Sequence, residues 1–192
     1  MVLAGCLITA SVQATPIYVD PTTDGSYVEF RINDSKCSRF APCGIEGVIS
    51  DSLDGPGYWL NAGDSWTFDF FDVYVGGFGV VRDFSVEAVL AFLSPDIMPA
   101  ASGNGSFFTL FGLVSGGTLY WEQPDAIQLD DGSWLHVTFE NVKELGFGNH
   151  TTVSATASRY YVAVPEPGTL ALFGLSLIGL WFVRRNRTKT DG

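Results

Sequence analysis

The feature that most constrains this chain is the period of its apolar residues, which is two, in runs too short for helices. Phe84, Val86, Ala88, Leu90 and Phe92 share one face of a single run, and Asp83, Ser85 and Glu87 start the other. Val28, Phe30 and Ile32 alternate with Tyr27, Glu29 and Arg31. Leu135, Val137 and Phe139 alternate with Trp134, His136, Thr138 and Glu140, and Val153, Ala155 and Ala157 with Ser154, Thr156 and Ser158. Such runs read as strands with one buried face and one polar face. Gly, Asp, Asn and Pro separate them, and no long 3.6-residue periodicity interrupts residues 15–164. The expectation is an all-β domain of seven or eight strands, an antiparallel β-sandwich of jelly-roll or immunoglobulin-like type with its strand order open.

Two connections carry residues suited to tight turns. Ser115-Gly116-Gly117-Thr118 separates FFTLFGLV from LYWE, and Asp130-Asp131-Gly132-Ser133 separates IQL from WLHVTF. Each reads as a hairpin turn. One strand slips in phase. Trp66, Phe68 and Phe70 share a face, but the apolar series resumes at Phe71, Val73 and Val75. A β-bulge, or a strand that changes sheet, absorbs such a slip.

Charge divides the chain. The net charge is −11, and beyond Val164 the chain carries Arg184, Arg185, Arg187 and Lys189 against Glu166 and Asp191. That tail is +2, so residues 1–164 hold −13. An acidic body repels a phosphate backbone and argues against nucleic acid as a partner. It serves solubility or attracts cations.

Both ends read as targeting segments. Residues 1–14 are uncharged and mostly small or apolar, and Val12-Gln13-Ala14 resembles a signal-peptidase site, with cleavage after Ala14. The basic n-region of a signal peptide is missing, and Leu3-Ala4-Gly5-Cys6 also matches a lipoprotein box. At the other end, Gly168 to Val183 is sixteen residues without charge. As a helix it would reach roughly 24 Å, a marginal span against a hydrocarbon core of about 30 Å. Arg184, Arg185 and Arg187 follow directly as a membrane stop signal, which places them on the cytoplasmic side and the body outside. Val164-Pro165-Glu166-Pro167 is extended by its prolines, and Pro167-Gly168 suits a helix start.

Pro-Glu-Pro, a short apolar helix and an arginine cluster in that order resemble the PEP-CTERM sorting signal of Gram-negative bacteria. The resemblance covers residues 165–192: the motif Pro165, Glu166, Pro167, a transmembrane helix over about 168–183 and a basic tail over 184–192. It implies passage through the inner membrane, recognition by exosortase (a membrane-embedded cysteine transpeptidase), processing near the motif and delivery to the cell surface or extracellular matrix. It further implies association with exopolysaccharide and biofilm. The alternative is an ordinary C-terminal anchor.

Chemistry in the body is sparse. Cys37 and Cys43 bracket Ser-Arg-Phe-Ala-Pro. In an exported protein they are expected to form a disulfide that pins a surface loop, with free thiols or metal ligation as the alternative. No G-x-S-x-G, H-E-x-x-H or phosphate-binding glycine loop occurs. His136 and His150 are fourteen residues apart and are read as a strand surface and a turn. The expectation is a protein that is not an enzyme and carries no cofactor. Asp51-x-x-Asp54-Gly55 and Asp130-Asp131-Gly132 are acidic turns that could offer oxygen ligands to calcium, or that simply suit turns. Trp134 lies opposite the apolar face of its strand. It is the candidate glycan-stacking residue, with inter-strand packing as the alternative. The function expected is structural or adhesive, the runner-up a carbohydrate-binding module, and a secreted hydrolase the third reading.

Overall fold

A computed structural model describes residues 15–111, 113–147, 150–161 and 173–178. The chain divides into two compact units, Met1–Tyr161 and Val162–Gly192. Among the described residues of the first there are eleven strands: β1 (Ile17–Cys37), β2 (Gly44–Ile49), β3 (Tyr58–Leu60), β4 (Ser65–Gly76), β5 (Phe78–Ser94), β6 (Ala100–Leu110), β7 (Val114–Glu122), β8 (Ile127–Gln128), β9 (Trp134–Phe139), β10 (Val142–Phe147) and β11 (His150–Tyr160). A 3-10 turn over Asp51–Asp54 joins β2 to β3.

The strands form two wholly antiparallel sheets. The first has the order β10-β7-β6-β5-β1-β3, the second β2-β4-β11-β9-β8. Their inward faces share one core. Phe84, Val86, Ala88, Leu90 and Phe92 of β5 meet Phe70, Phe71 and Val73 of β4, Leu135, Val137 and Phe139 of β9, and Val153, Ala155 and Ala157 of β11. The period-two runs of the sequence thus become the buried rows of an antiparallel sandwich. The outer face of the second sheet is hydroxyl-rich, with Thr67 and Thr156 hydrogen-bonded across β4 and β11 at 2.8 Å.

The phase slip in β4 is a β-bulge. Val153 faces Phe71 and Ser154 faces Asp69, so Phe70 has no partner of its own on β11. The extra residue lets both Phe70 and Phe71 point inward, and both are fully buried. Phe70 stacks on Phe139 and Phe71 meets Trp121 edge-on. A regular strand would have put one of these rings in water.

The Asp130–Ser133 connection is the expected turn. Leu129 and Ser133 close it, and Gly132 takes a left-handed φ of 79°. The Ser115–Thr118 connection is not. Gly116 and Gly117 lie inside β7, paired with Phe108 and Phe107 of β6 and with Leu145 and Glu144 of β10. The chain reverses earlier, where Phe111 takes a φ of 55° and Leu113 N–H bonds to Leu110 C=O. The glycines serve packing: a Cβ at Gly117 would lie 2.6 Å from Ser106 O and 2.8 Å from Phe107 Cβ. A strand glycine read as a turn is the error, and the cause is a close backbone approach that only the tertiary fold creates.

Cys37 and Cys43 form the expected disulfide, with Cα atoms 5.6 Å apart. In the second unit, residues 173–178 are helical. They fall within the expected 168–183 span, but among the described residues no helix is long and apolar enough to cross a membrane. The leader 1–14 with Cys6, the motif Pro165, Glu166, Pro167, and Arg184, Arg185 and Arg187 lie outside the described residues.

Candidate functional site

One pole of the sandwich gathers the two ends of the folded body around a buried arginine. Arg159 continues the inward row Val153, Ala155, Ala157 of β11, so the strand's own alternation drives a guanidinium into the core. Its side chain is fully buried. Each donor is used. Nε reaches Ser133 Oγ at 3.1 Å, Nη1 reaches the carbonyls of Thr15 at 2.7 Å and Leu60 at 3.0 Å, and Nη2 reaches Asp131 Oδ2 and the Tyr161 hydroxyl. A buried charge is tolerated only with such complete pairing. The Asp131 carboxyl is held below the usual carboxylate range, at a pKa of about 2. Hydrogen bonds from the Ser133 hydroxyl and backbone N–H lower it, partial burial raises it, and the Arg159 charge lowers it further. The expected signal-peptidase site precedes Thr15, the residue whose carbonyl Arg159 grips.

The same pole carries exposed aromatics. On β3, Trp59 lies directly across from Tyr18 of β1, with ring centroids 5.1 Å apart. The Tyr18 hydroxyl accepts the Gly57 N–H at 3.0 Å, which fixes its ring, and Trp59 stays 60% exposed beside it. Tyr58 points the other way and stacks on Trp66, which packs on Phe68 and through it on Phe92 of the core. The pole thus presents a braced indole face on an edge strand. Trp134 is half-buried on the outer face of β9, opposite Tyr160. The fold does not bring it into the Tyr18–Trp59 pair by any ring contact among the described residues.

The acidic turns are engaged internally. The Asp54 carboxylate accepts from the Thr23 N–H at 2.9 Å, the Thr23 hydroxyl at 2.7 Å and the Thr22 hydroxyl at 3.3 Å, which ties the 3-10 turn to β1 and lowers its pKa, the Thr23 N–H contributing most. Asp131 serves Arg159 and Ser133. Among the described residues no group of three or more His, Cys, Asp or Glu could hold a metal ion. His136 faces Ser158 on the outer side of β9, and His150 stacks on Tyr74 at the start of β11, 5.5 Å between centroids. His150 also borders an apolar cleft of about 80 Å³ between the sheets, lined by Ile45, Val73, Phe107 and Val142 among others.

The family model of the PEP-CTERM protein-sorting motif matches residues 163–187. No curated protein and no solved structure matches the chain. The match covers the Pro-Glu-Pro element, the apolar stretch and the arginine cluster, so the chain carries a C-terminal PEP-CTERM motif. That motif marks an exported protein that is processed by exosortase.

Proposed function

We propose that the chain, once exported and sorted by exosortase, works as a non-enzymatic structural or adhesive protein of the Gram-negative cell surface or extracellular matrix, in the company of exopolysaccharide and biofilm. The observation that carries this reading is the sorting motif at 163–187 on a body that is otherwise an acidic, disulfide-bonded β-sandwich. A body charge of −13 keeps such a domain soluble outside the cell and away from nucleic acid. The antiparallel core supplies rigidity. Exosortase is the partner before release, and no cofactor is invoked.

The test is replacement of Pro165, Glu166 and Pro167 by Ala in the native cell. Unprocessed protein should then accumulate in the membrane and the surface pool should disappear. Unchanged processing and delivery would sink the sorting half of the proposal.

A second reading, carbohydrate binding, is favoured by Trp59. An exposed indole braced by a hydrogen-bonded tyrosine is the geometry on which pyranose rings stack. Trp59→Ala should abolish retention on the native polymer, and Trp134→Ala separates the two candidates. A chain that retains no polysaccharide is a scaffold.

A further inference from the structure

The pole opposite Arg159 is built from three chain segments and is apolar at its tips. β4 starts beside the end of β11, where Ser65 faces Ser158, and runs roughly 40 Å away at about 3.3 Å per residue. There Gly77 turns the chain into β5, the Cys37–Cys43 loop packs on that corner, and the β6–β7 turn joins them. Ser38 N–H bonds to Phe78 C=O at 2.7 Å, Phe78 N–H to Ala41 C=O at 2.9 Å, and Phe111 N–H to Gly77 C=O at 2.7 Å. Gly77 has a φ of 91°, and a Cβ there would lie 2.1 Å from Pro42 O, so the corner requires glycine. The three loops form one braced unit.

What they display is out of keeping with a surface in water. Phe40, inside the disulfide loop, is 99% exposed. Phe111, in a left-handed conformation that aromatic residues rarely adopt, is 66% exposed and stacks on the exposed Phe78 with centroids 5.1 Å apart. Leu110 and Leu113 are exposed on either side. Single exposed apolar residues are ordinary, but five on adjoining loops mark a contact surface.

Charge identifies the partner. Residues 35–45, 73–82 and 107–118, which form its loops and the strand ends beside them, contain Lys36, Arg39 and Arg82 and no Asp or Glu, in a body of −13, while the strands paired with them add Glu46 across from Tyr74 and Lys143 and Glu144 across from Thr118 and Gly117. Asp34 and Asp83 face each other across β1 and β5 at the far side of Lys36 and Arg82 from the tips. Lys36 faces Val80 of β5, so it sits at the base of the loops, and Arg39 adjoins Phe40. Protruding apolar tips with an excess of cations among the residues that carry them, on a body that is otherwise strongly acidic, match an anionic bilayer surface, whose acyl boundary takes apolar tips and whose phosphates take the cations.

We propose that this pole docks on an anionic phospholipid surface, Phe40 and Phe111 entering the headgroup–acyl boundary while Lys36, Arg39 and Arg82 meet the phosphates. The proposal concerns the sandwich alone and stands independently of the sorting reading.

The test uses the full chain with Phe40→Trp, a change that the near-complete exposure of Phe40 allows without disturbing the core. Vesicles are made of phosphatidylcholine with brominated acyl chains, with or without phosphatidylglycerol. The emission added at position 40, taken as the difference from the parent chain, should shift to the blue and be quenched with phosphatidylglycerol present. That signal separates the pole from any association through the C-terminal segment. Replacing Lys36, Arg39 and Arg82 together by Ala should raise the lipid concentration needed by at least about tenfold. An indole at position 40 that is neither shifted nor quenched by phosphatidylglycerol vesicles overturns the proposal. So does quenching that is equal without phosphatidylglycerol, or a dimer in solution that Phe40→Asp dissolves, which would make a second copy the occupant.

Discussion

Arg159 Nη2 meets Asp131 Oδ2 at 2.5 Å across 28 residues of sequence, and Nη1 of the same guanidinium holds the Thr15 carbonyl 144 residues away. One buried side chain therefore ties the start of the body, the β8–β9 turn and the end of β11. Removing Asp131 leaves Arg159 buried without its counter-charge. Asp131→Asn should cost about 3 kcal/mol, read as a lowered midpoint in urea. The pair of changes Asp131→Asn and Arg159→Met should be less destabilising than Asp131→Asn alone, because the uncompensated charge is gone. Equal losses would mean that the guanidinium is satisfied without Asp131.

Acid should act through the same pair. Asp131 is lowered to about 2, from an unfolded value near 3.8. A lowered carboxylate pKa means that the folded state favours the ionised form, so its stabilising effect is complete above about pH 4. It should be lost progressively as the pH falls from about 4 towards 2. Asp54 and Asp64, also lowered by hydrogen bonds, add to the loss in the same direction. Urea midpoints measured down this range should fall for the parent chain. The slope should be shallower in Asp131→Asn.

Gly117 offers a test of the strand assignment. In a hairpin turn, a left-handed φ at Gly117 would cost alanine about 1 kcal/mol, and asparagine would be tolerated. In β7, the Cβ of either would press on Ser106 O and Phe107. Gly117→Ala should therefore destabilise by more than about 1 kcal/mol, measured by thermal or urea unfolding. An alanine variant as stable as the parent would contradict the pairing of β6 with β7.

The loop closed by Cys37 and Cys43 supports the apolar pole. Replacing both by Ser should lower stability by about 2 kcal/mol on the chain-entropy estimate for a short loop. The same change should raise hydrogen exchange at Phe78 N–H, whose acceptor Ala41 lies within the loop. Unchanged exchange there would show that the loop holds without its bridge.

The residues explain which parts of this architecture were legible beforehand. Alternation in β5, β9 and β11 identified their buried faces because an antiparallel strand exposes one side only. The Phe70–Phe71 slip announced its bulge because two adjacent rings cannot share a face of a regular strand. Arg159 escaped notice because a charged residue ending a Ser-Ala-Thr-Ala run reads as the strand's exit into water. Its partners at 15, 60, 131 and 133 are set only by the fold. For a similar reason Trp59, the more exposed indole, was not singled out. β3 is three residues long, too short for its alternation to declare a face. The apolar pole depends on three loops remote in sequence, each with only one or two of the rings.

The central claim is export followed by sorting at the C-terminal motif, and intact mass tests it most directly. The protein would be recovered from native cells and from culture medium and weighed without digestion. A surface or medium species beginning at Thr15 and ending near Pro165-Glu166-Pro167 is the predicted result. A species that retains Arg184 to Gly192 would contradict it, leaving the tail as a plain anchor.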